Sequence, residues 1–114
     1  MDGNENCIFC KIINGQIPAQ KVLEDDNCIC IRDVNPQAPT HILIIPKKHV
    51  ANITEIEEAQ VLGDLFLKIP ALVQSENLKN GFRTVVNTGD DGGQTVHHLH
   101  IHVLGGRALH WPPG

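Results

Sequence analysis

Polar and apolar side chains alternate most regularly between positions 96 and 104. Within this stretch three histidines alternate with three aliphatic residues, in the order His98, Leu99, His100, Ile101, His102 and Val103. Successive side chains of an extended strand point to opposite faces, whereas a two-residue spacing on a helix would scatter the imidazoles around the axis. The pattern therefore predicts a strand over residues 96–104, with the imidazoles on one face and the aliphatic side chains in the core.

Four further strands are predicted from short runs of β-branched and other apolar residues. Residues 21–24 and 28–32 flank the polar turn 25–27, which predicts a hairpin. Residues 41–45 are almost wholly apolar and predict a central strand. Residues 83–87 predict a strand that leads into a glycine-rich loop. With the histidine stretch, the sheet has five strands.

One short and one long helix are predicted. Residues 7–13 form the short helix, which the pair at positions 14–15, Asn-Gly, is suited to end. Apolar residues recur at three- and four-residue steps to predict a long amphipathic helix: Val61, Leu62, Leu65, Phe66, Ile69, Leu72 and Val73. Thr54 and Glu57 fit a capping box at its start, and Pro70 is expected to kink it. These elements predict one α+β domain over residues 1–114, with a mostly antiparallel sheet.

The charge and composition exclude several classes of protein. The 41% hydrophobic and 19% charged residues are typical of a globular domain, and no apolar run approaches the roughly 20 residues that span a bilayer. The net charge is −4 and the basic residues are scattered, so nucleic acid is not an expected partner. Because residues 1–6 lack the features of a signal peptide, a cytoplasmic location without membrane attachment is expected by default.

The histidine stretch and the preceding loop suggest phosphate chemistry. Three adjacent imidazoles cannot all be protonated without strong repulsion, so most are expected to be neutral and able to act as nucleophile, base or metal ligand. The glycine-rich loop 89–95 can bring backbone amides close to an anion, with Asp90 and Asp91 pointing outward. The plainer alternatives are a row of hydrogen-bonded structural histidines and an ordinary turn.

The four cysteines are expected to be thiols or metal ligands rather than disulfides. Cys7 and Cys10 have a spacing that can place two thiolates on one metal ion, although this is only half of a tetrahedral site. Two buried thiols are the alternative. Considered by itself, His49 is predicted to have a surface or capping role. Cys28 and Cys30 are predicted to be buried thiols on one face of a strand.

Several segments together resemble a known family. Residues 98–104 resemble the His-x-His-x-His motif of the histidine-triad superfamily. Residues 36–41, 45–49, 91–94 and 105–114 are similar to its nucleotide-binding branch. The resemblance implies a homodimer whose two five-stranded sheets join into one. It also implies hydrolysis of nucleoside 5′-phosphoramidates, with purines preferred, to the nucleoside monophosphate and an amine through a nucleotidyl-histidine intermediate.

The same resemblance implies a role for each matching residue. His100 matches the nucleophile, His102 the neighbour that bonds a phosphoryl oxygen, and His98 the member that orients the site. Asp33 matches the carboxylate that bonds the ribose hydroxyls, and Ile31 part of the base pocket. The residues assigned to nucleotide binding on the phosphate side are Asn87, Gly93, Gln94 and Thr95.

Three positions depart from the usual pattern of this branch. His97 stands where an aromatic residue is common, Thr95 where serine is common, and Arg32 where histidine is frequent. The first two lie close to the predicted phosphate loop. The departures therefore bear on turnover rate and leaving-group preference rather than on the nucleophile.

The Cys-x-x-Cys pair resembles that of family members which carry structural zinc. Their remaining ligands match two histidines of this chain, which implies a zinc site at Cys7, Cys10, His49 and His98, and no organic cofactor is expected. Two other functions are compatible with the residues. One is a metal-dependent hydrolase with His98, His100 and His102 as ligands. The other is a nucleotide-binding scaffold with incidental activity.

Overall fold

The structure, a computed structural model, describes residues 5–114 and consists of one five-stranded sheet with helices on both faces. The strands are β1 Lys21–Glu24, β2 Cys28–Arg32, β3 Thr40–Pro46, β4 Phe82–Val85 and β5 Ile101–Gly105. They lie in the order β1-β2-β3-β5-β4, and each neighbouring pair is antiparallel. The predicted α+β fold and the 21–24 and 28–32 hairpin are confirmed.

Strand β3 lies at the centre of the sheet, as predicted, and is buried along its whole length. Ile42 and Ile44 face one apolar cluster, and Leu43 and Ile45 face the other. A strand covered on both faces has no polar side to present, which is why its sequence lacks alternation. The first cluster packs against the longer helices and the second against the short N-terminal helix.

Helix α1, Ile8–Ile13, begins at Cys7, whose sulfur accepts a hydrogen bond from the backbone N–H of Cys10. The backbone N–H of Asn14 bonds to carbonyls of the last turn, and Gly15 follows with a φ of +78°. That left-handed conformation suits glycine because it lacks a Cβ. The predicted short helix is therefore confirmed.

The predicted long helix has a later start and an interruption. Asn52, not Thr54, is the capping residue: its side chain accepts from the N–H of Thr54 and begins a single 3₁₀ turn, Ile53–Glu55. Helix α2 begins only at Ala59 and runs to Phe66, and α3 covers Ile69–Ser75. The capping-box prediction is thus wrong, while the predicted disturbance at Pro70 corresponds to the break, because proline supplies no backbone donor.

The histidine strand is shorter than predicted. Regular pairing begins at Ile101, not at residue 96, because the N–H of Leu99 donates to the carbonyl of Val50 at 2.7 Å instead of to a neighbouring strand. Strand β4 likewise ends at Val85 rather than at residue 87. The alternation nevertheless persists, since Leu99, Ile101 and Val103 all enter the same apolar cluster.

Two further predictions concern cysteines and membranes. The side chains of Cys28 and Cys30 are buried in the apolar cluster beneath α2 and α3, and burial raises the pKa of these thiols to about 11 and about 12. They are inert core thiols, as predicted. Within the described part of the chain, no helix is long and apolar enough to cross a membrane. The prediction that residues 1–6 lack the features of a signal peptide falls partly on residues 1–4, which lie outside the described residues.

Candidate active site and metal-binding cluster

A cleft of about 320 Å³ opens on the α1 face of the sheet and contains most of the predicted site residues. It is lined by His100 and His102 on one side and by the hydrophobic side chains of α1 on another. The predicted nucleotide-binding residues that line it are Ile31, Asp33, Asn87, Gly93 and Thr95. Residues that lie far apart in sequence therefore surround one cavity.

His100 is held in one tautomer by the backbone. Its Nδ1 lies 2.7 Å from the carbonyl oxygen of His98, and since a carbonyl can only accept, Nδ1 carries the proton. Nε2 therefore keeps a lone pair. His100 is only 7% exposed, and burial lowers the pKa of its imidazole. The ring is thus neutral at pH 7 and has an unprotonated nitrogen available for nucleophilic attack.

His102 takes part in a chain of hydrogen bonds that begins at a backbone amide. The N–H of Gln37 donates to Nδ1 of His41 at 3.0 Å, so the proton of His41 is on Nε2. That Nε2 lies 2.9 Å from Nδ1 of His102 and 3.4 Å from the carboxylate of Asp33. His102 therefore accepts at Nδ1 and has a donor N–H at Nε2. Burial, with the nearby His100, lowers its pKa to about 4.

Sequence reasoning did not single out His41. It has no assigned role there beyond beginning the apolar strand and ending the family-like segment 36–41, although a buried ionisable residue in such a strand is itself a signal of a polar partner. Strand register supplies that partner, because β3 and β5 pair Leu43 with His102 and so bring His41 diagonally next to it. Phe9 was also missed, although its ring lies edge-on to His100 at 5.0 Å.

The loop between β4 and the histidine segment is held by its own side chains. Gln94 is buried, and its amide nitrogen donates to the carbonyls of Ala51 and Val96 at 2.8 and 3.1 Å. Its side-chain oxygen accepts from the N–H of Gly89. Gln94 thus braces the loop, and it is not among the residues that line the cleft.

Two backbone N–H groups of the predicted amide cradle are already hydrogen-bonded within the loop. The N–H groups of Gly93 and Gln94 donate within the loop, to the carbonyls of Asp90 and Gly89. Gly92 is required by close packing, since a Cβ there would lie 2.2 Å from the carbonyl oxygen of Thr88. Asp90 and its neighbour Asp91 are exposed, as expected. An anion in the cleft would therefore meet side chains as well as backbone.

A second cluster lies directly behind the cleft. The ligand atoms of Cys7, Cys10, His49 and His98 all lie within 4.8 Å of one another. Nδ1 of His98 is 3.3 Å from the sulfur of Cys7 and 3.1 Å from Nδ1 of His49. The sulfur of Cys10 is 3.3 Å from Nδ1 of His49. The structure therefore brings together all four residues of the predicted zinc site.

These separations of 3.1–3.3 Å are close to the edges of a small tetrahedron. Zinc binds sulfur at about 2.3 Å and imidazole nitrogen at about 2.0–2.1 Å, so tetrahedral ligand atoms lie roughly 3.3–3.8 Å apart. Nε2 of His98 donates to the carbonyl of Pro46 at 2.8 Å, which leaves the Nδ1 lone pair directed at the cluster. Burial also lowers the pKa of His98 to about 4, favouring the neutral ligand form. The donor set fits a structural zinc ion.

The geometry gives no support to a catalytic metal on the three alternating histidines. Nδ1 of His98 belongs to the cysteine cluster, and the three imidazoles are not among the candidate metal groups of residues 5–114. The other such group is Asp33, His41 and His102. Its hydrogen bonds account for that arrangement, because the proton on Nε2 of His41 occupies the lone-pair position that a metal would need.

A five-stranded antiparallel sheet with alternating histidines beside a glycine-rich loop defines a protein of the histidine-triad class. A model of the HIT domain matches residues 14–109, and the chain belongs to the HIT family. An uncharacterized HIT-like protein of Synechococcus elongatus is 57% identical over 113 residues, covering 97% of this chain and 99% of that protein.

Solved structures agree with this assignment. The crystal structure of a HIT family hydrolase from Legionella pneumophila has a TM-score of 0.93 and 49% identity, covering 96% of this chain and 100% of that one. A histidine triad nucleotide-binding protein from Candida albicans has a TM-score of 0.83 and 32% identity, with coverage of 94% and 83%. The resemblance to the histidine-triad superfamily is confirmed.

Proposed function

We propose that this chain hydrolyses nucleoside 5′-phosphoramidates, preferring purines, through a covalent nucleotidyl-histidine on His100. The observation that carries the proposal is the 2.7 Å hydrogen bond between Nδ1 of His100 and the carbonyl of His98. It fixes an unprotonated Nε2 on a buried ring that lines the cleft. The names of the Legionella hydrolase and of the Candida nucleotide-binding protein support the same class of activity.

In the first step, Nε2 of His100 attacks phosphorus and forms a P–N bond. The bond from phosphorus to the leaving amine breaks and its electron pair stays on the amine nitrogen, which has taken a proton from solvent and so leaves as the neutral amine. His102 presents its Nε2–H to the reacting group because Nδ1 is occupied by His41. This donor bonds a phosphoryl oxygen, where negative charge accumulates, and Asn87 and Thr95 line the same part of the cleft.

In the second step, water attacks phosphorus and the bond to Nε2 breaks. The product is the nucleoside monophosphate and the electron pair of the broken bond returns to Nε2 of His100. One proton of the attacking water stays on the monophosphate and the other returns to solvent, which balances the proton taken up by the amine. Dividing one displacement into two steps is useful because a well-held imidazole is a better nucleophile than water. His100 begins and ends the cycle neutral, in agreement with its lowered pKa.

The nucleoside occupies the other end of the cleft in this proposal. Ile31 supplies an apolar surface for the base, and Ile12 and Leu43 lie beside it in the same apolar cluster. The carboxylate of Asp33 has two oxygens that can accept from the two ribose hydroxyls. A cleft that is mainly apolar with a few placed polar groups is typical of small-ligand sites.

We also propose a structural zinc ion held by the Cys7, Cys10, His49 and His98 cluster. A closed tetrahedral site of two cysteines and two histidines contributes folding energy and has no open position for substrate. Elemental analysis of protein purified without chelator should find about one zinc per chain. Less than half an equivalent would contradict the proposal.

A homodimer is the third part of the proposal. Strand β4 lies at the edge of the sheet and exposes Phe82, while α2 exposes Phe66 and Trp111 projects from the C-terminal tail. Exposed edges and aromatic side chains favour association with a second copy. Light scattering after gel filtration should give twice the 12.5 kDa mass of the chain. A 12.5 kDa species at micromolar concentration would refute it.

The decisive experiment is intact-protein mass spectrometry after rapid quenching, without acid, of a reaction with adenosine 5′-phosphoramidate. The wild-type chain and a His110→Ala control should each gain one adenosine monophosphate, since His110 is exposed and outside the cleft. A His100→Ala variant should gain none. Several quench times separate a short-lived adduct from an absent one.

The same experiment distinguishes the two alternatives. Turnover without an adduct at any quench time, abolished by a chelator, would favour a metal-dependent hydrolase. Tight nucleotide binding with negligible turnover would favour a nucleotide-binding scaffold. Either result would refute covalent catalysis at His100.

A further inference from the structure

One turn of α1 contacts both the cysteine cluster and the proposed nucleophile. Phe9 lies between Cys7 and Cys10 in sequence and is only 6% exposed. Its ring stands edge-on to His98 with the centroids 5.8 Å apart, and edge-on to His100 at 5.0 Å. Whatever holds the two cysteines in place therefore also fixes the ring that packs against the nucleophile.

His98 forms a second connection between the same two places. Its imidazole Nδ1 faces the sulfur of Cys7, while its backbone carbonyl accepts from Nδ1 of His100. The Nε2 of His98 is tied to the carbonyl of Pro46. Because His98 is fully buried, its ring has little space to rotate alone, so a displacement of the ring is transmitted to the carbonyl that selects the tautomer of His100.

We infer that Cys7, Cys10 and Phe9 are positioning residues for the nucleophile. When the cluster holds a metal ion, these residues fasten α1 to His98 and so keep His100 in the orientation and tautomer that attack requires. The inference deepens the proposed function and rests on both its hydrolase and its zinc parts. The metal ion supplies only the attachment, and the reacting groups remain those of the cleft.

Loss of the contacts that join α1 and His98 to His100 should lower kcat more than it weakens nucleotide binding. Ile31 and Asp33, which hold the nucleoside in the proposed function, belong to β2 and the residue after it, and β2 is paired on both sides within the sheet. Loosening α1 leaves that pairing in place, and of the residues proposed to lie around the base it displaces only Ile12. Loss of a residue that orients a reacting group without touching the substrate typically lowers activity about 10–100-fold.

Two variants and one matched control test the inference. Cys10→Ala removes one ligand from the cluster. Phe9→Leu keeps all four ligands but removes the ring contact with His100. Cys30→Ala is the control, because that thiol is equally buried but lies in the apolar cluster on the opposite face of the sheet. For each folded protein we would measure metal per chain, kcat, KM and the ¹⁵N–¹H imidazole spectrum of His100.

We expect Cys10→Ala and Phe9→Leu to differ in metal content, although both should have a lower kcat than the wild-type chain. Cys10→Ala should lose metal and lower kcat about 10–100-fold, with KM changing less than about threefold. Phe9→Leu should keep its metal and lower kcat about tenfold. In both, the Nδ1–H signal of His100 should broaden or share intensity with the other tautomer. Cys30→Ala should keep its metal, its kcat and the wild-type His100 spectrum.

The spectrum keeps this inference distinct from the hydrolase proposal. If the wild-type chain does not cleave phosphoramidates, the hydrolase proposal fails. In that case a His100 spectrum altered in Cys10→Ala still supports the positioning role. A folded, metal-free Cys10→Ala protein with wild-type kcat and an unchanged His100 spectrum overturns the inference. A wild-type chain that binds no metal overturns it as well, together with the zinc proposal.

Discussion

Replacement of Gln94 by alanine should destabilise the fold rather than weaken a direct nucleotide contact. The side chain is buried and makes three hydrogen bonds, two to the carbonyls of Ala51 and Val96 and one from the N–H of Gly89. Each has a net value of about 1 kcal/mol, so Gln94→Ala should lower the free energy of unfolding by about 3 kcal/mol. For a chain of 114 residues this corresponds to a melting temperature lower by roughly 12 °C.

Urea unfolding followed by circular dichroism measures this loss directly. Gln60→Ala provides the control, since that glutamine is exposed on α2 and donates only to Asp64. The control should change stability by less than about 0.5 kcal/mol. Gln94→Glu separates the bonds, because a carboxylate still accepts from Gly89 but cannot donate to the two carbonyls, and it should be destabilising as well.

The alternative for Gln94 is the direct nucleotide contact that the sequence predicted. In that case Gln94→Ala would raise KM while leaving the urea midpoint within the range of the Gln60→Ala control. A loss of stability below about 1 kcal/mol would therefore refute the bracing role. A stable variant with raised KM would restore the sequence-based assignment.

Three further predictions concern the cleft and its loop. His41→Phe should lower kcat about tenfold in steady-state assays with little change in KM, because His102 loses the N–H that fixes its tautomer; an unchanged kcat would contradict this. Gly92→Ala should destabilise by about 1–3 kcal/mol in urea melts because its Cβ would meet Thr88, whereas Gly63→Ala, with open space on α2, should stabilise by up to about 1 kcal/mol. The pKa of His102 is lowered from 6.5 to about 4, so the stability that its neutral form contributes is complete above pH 6.5 and is lost as pH falls towards 4. Between these pH values the urea midpoint should therefore fall less in His102→Gln than in the wild type. An equal dependence of the midpoint on pH in both proteins would refute this prediction.

Much of the sheet is decided by local sequence. The bounds of β1 and β2 follow from short apolar runs on either side of a polar turn, and both were predicted to the residue. The alternation through His98, His100 and His102 was enough to predict one imidazole face and one core face. Such patterns are readable because side-chain direction in an extended chain depends only on position.

Two other local predictions failed because a different group bonded to the backbone. The histidine strand begins late because Leu99 donates to Val50, a residue that no local pattern connects to it. The capping box fails because the side chain of Asn52 accepts the N–H of Thr54, and the backbone at Ile56 and Glu58 is extended before α2 begins. The sequence does not show which of several possible donors and acceptors will form a hydrogen bond, and the packing of the folded chain decides this.

The residues of the candidate site were likewise predicted only in part from the sequence. The sequence by itself determined which residue types were present, and the family resemblance named the four residues of the proposed zinc site and half of the residues that line the cleft. Only the tertiary structure placed His41 in the hydrogen-bond chain, Gln94 in the bracing of the loop and Phe9 against His100, the proposed nucleophile. These roles depend on strand register and on the docking of α1, which set distances between residues as many as 91 positions apart, such as Cys7 and His98. Hydrogen bonds and ring contacts act over a few ångströms, so tertiary packing had to decide them.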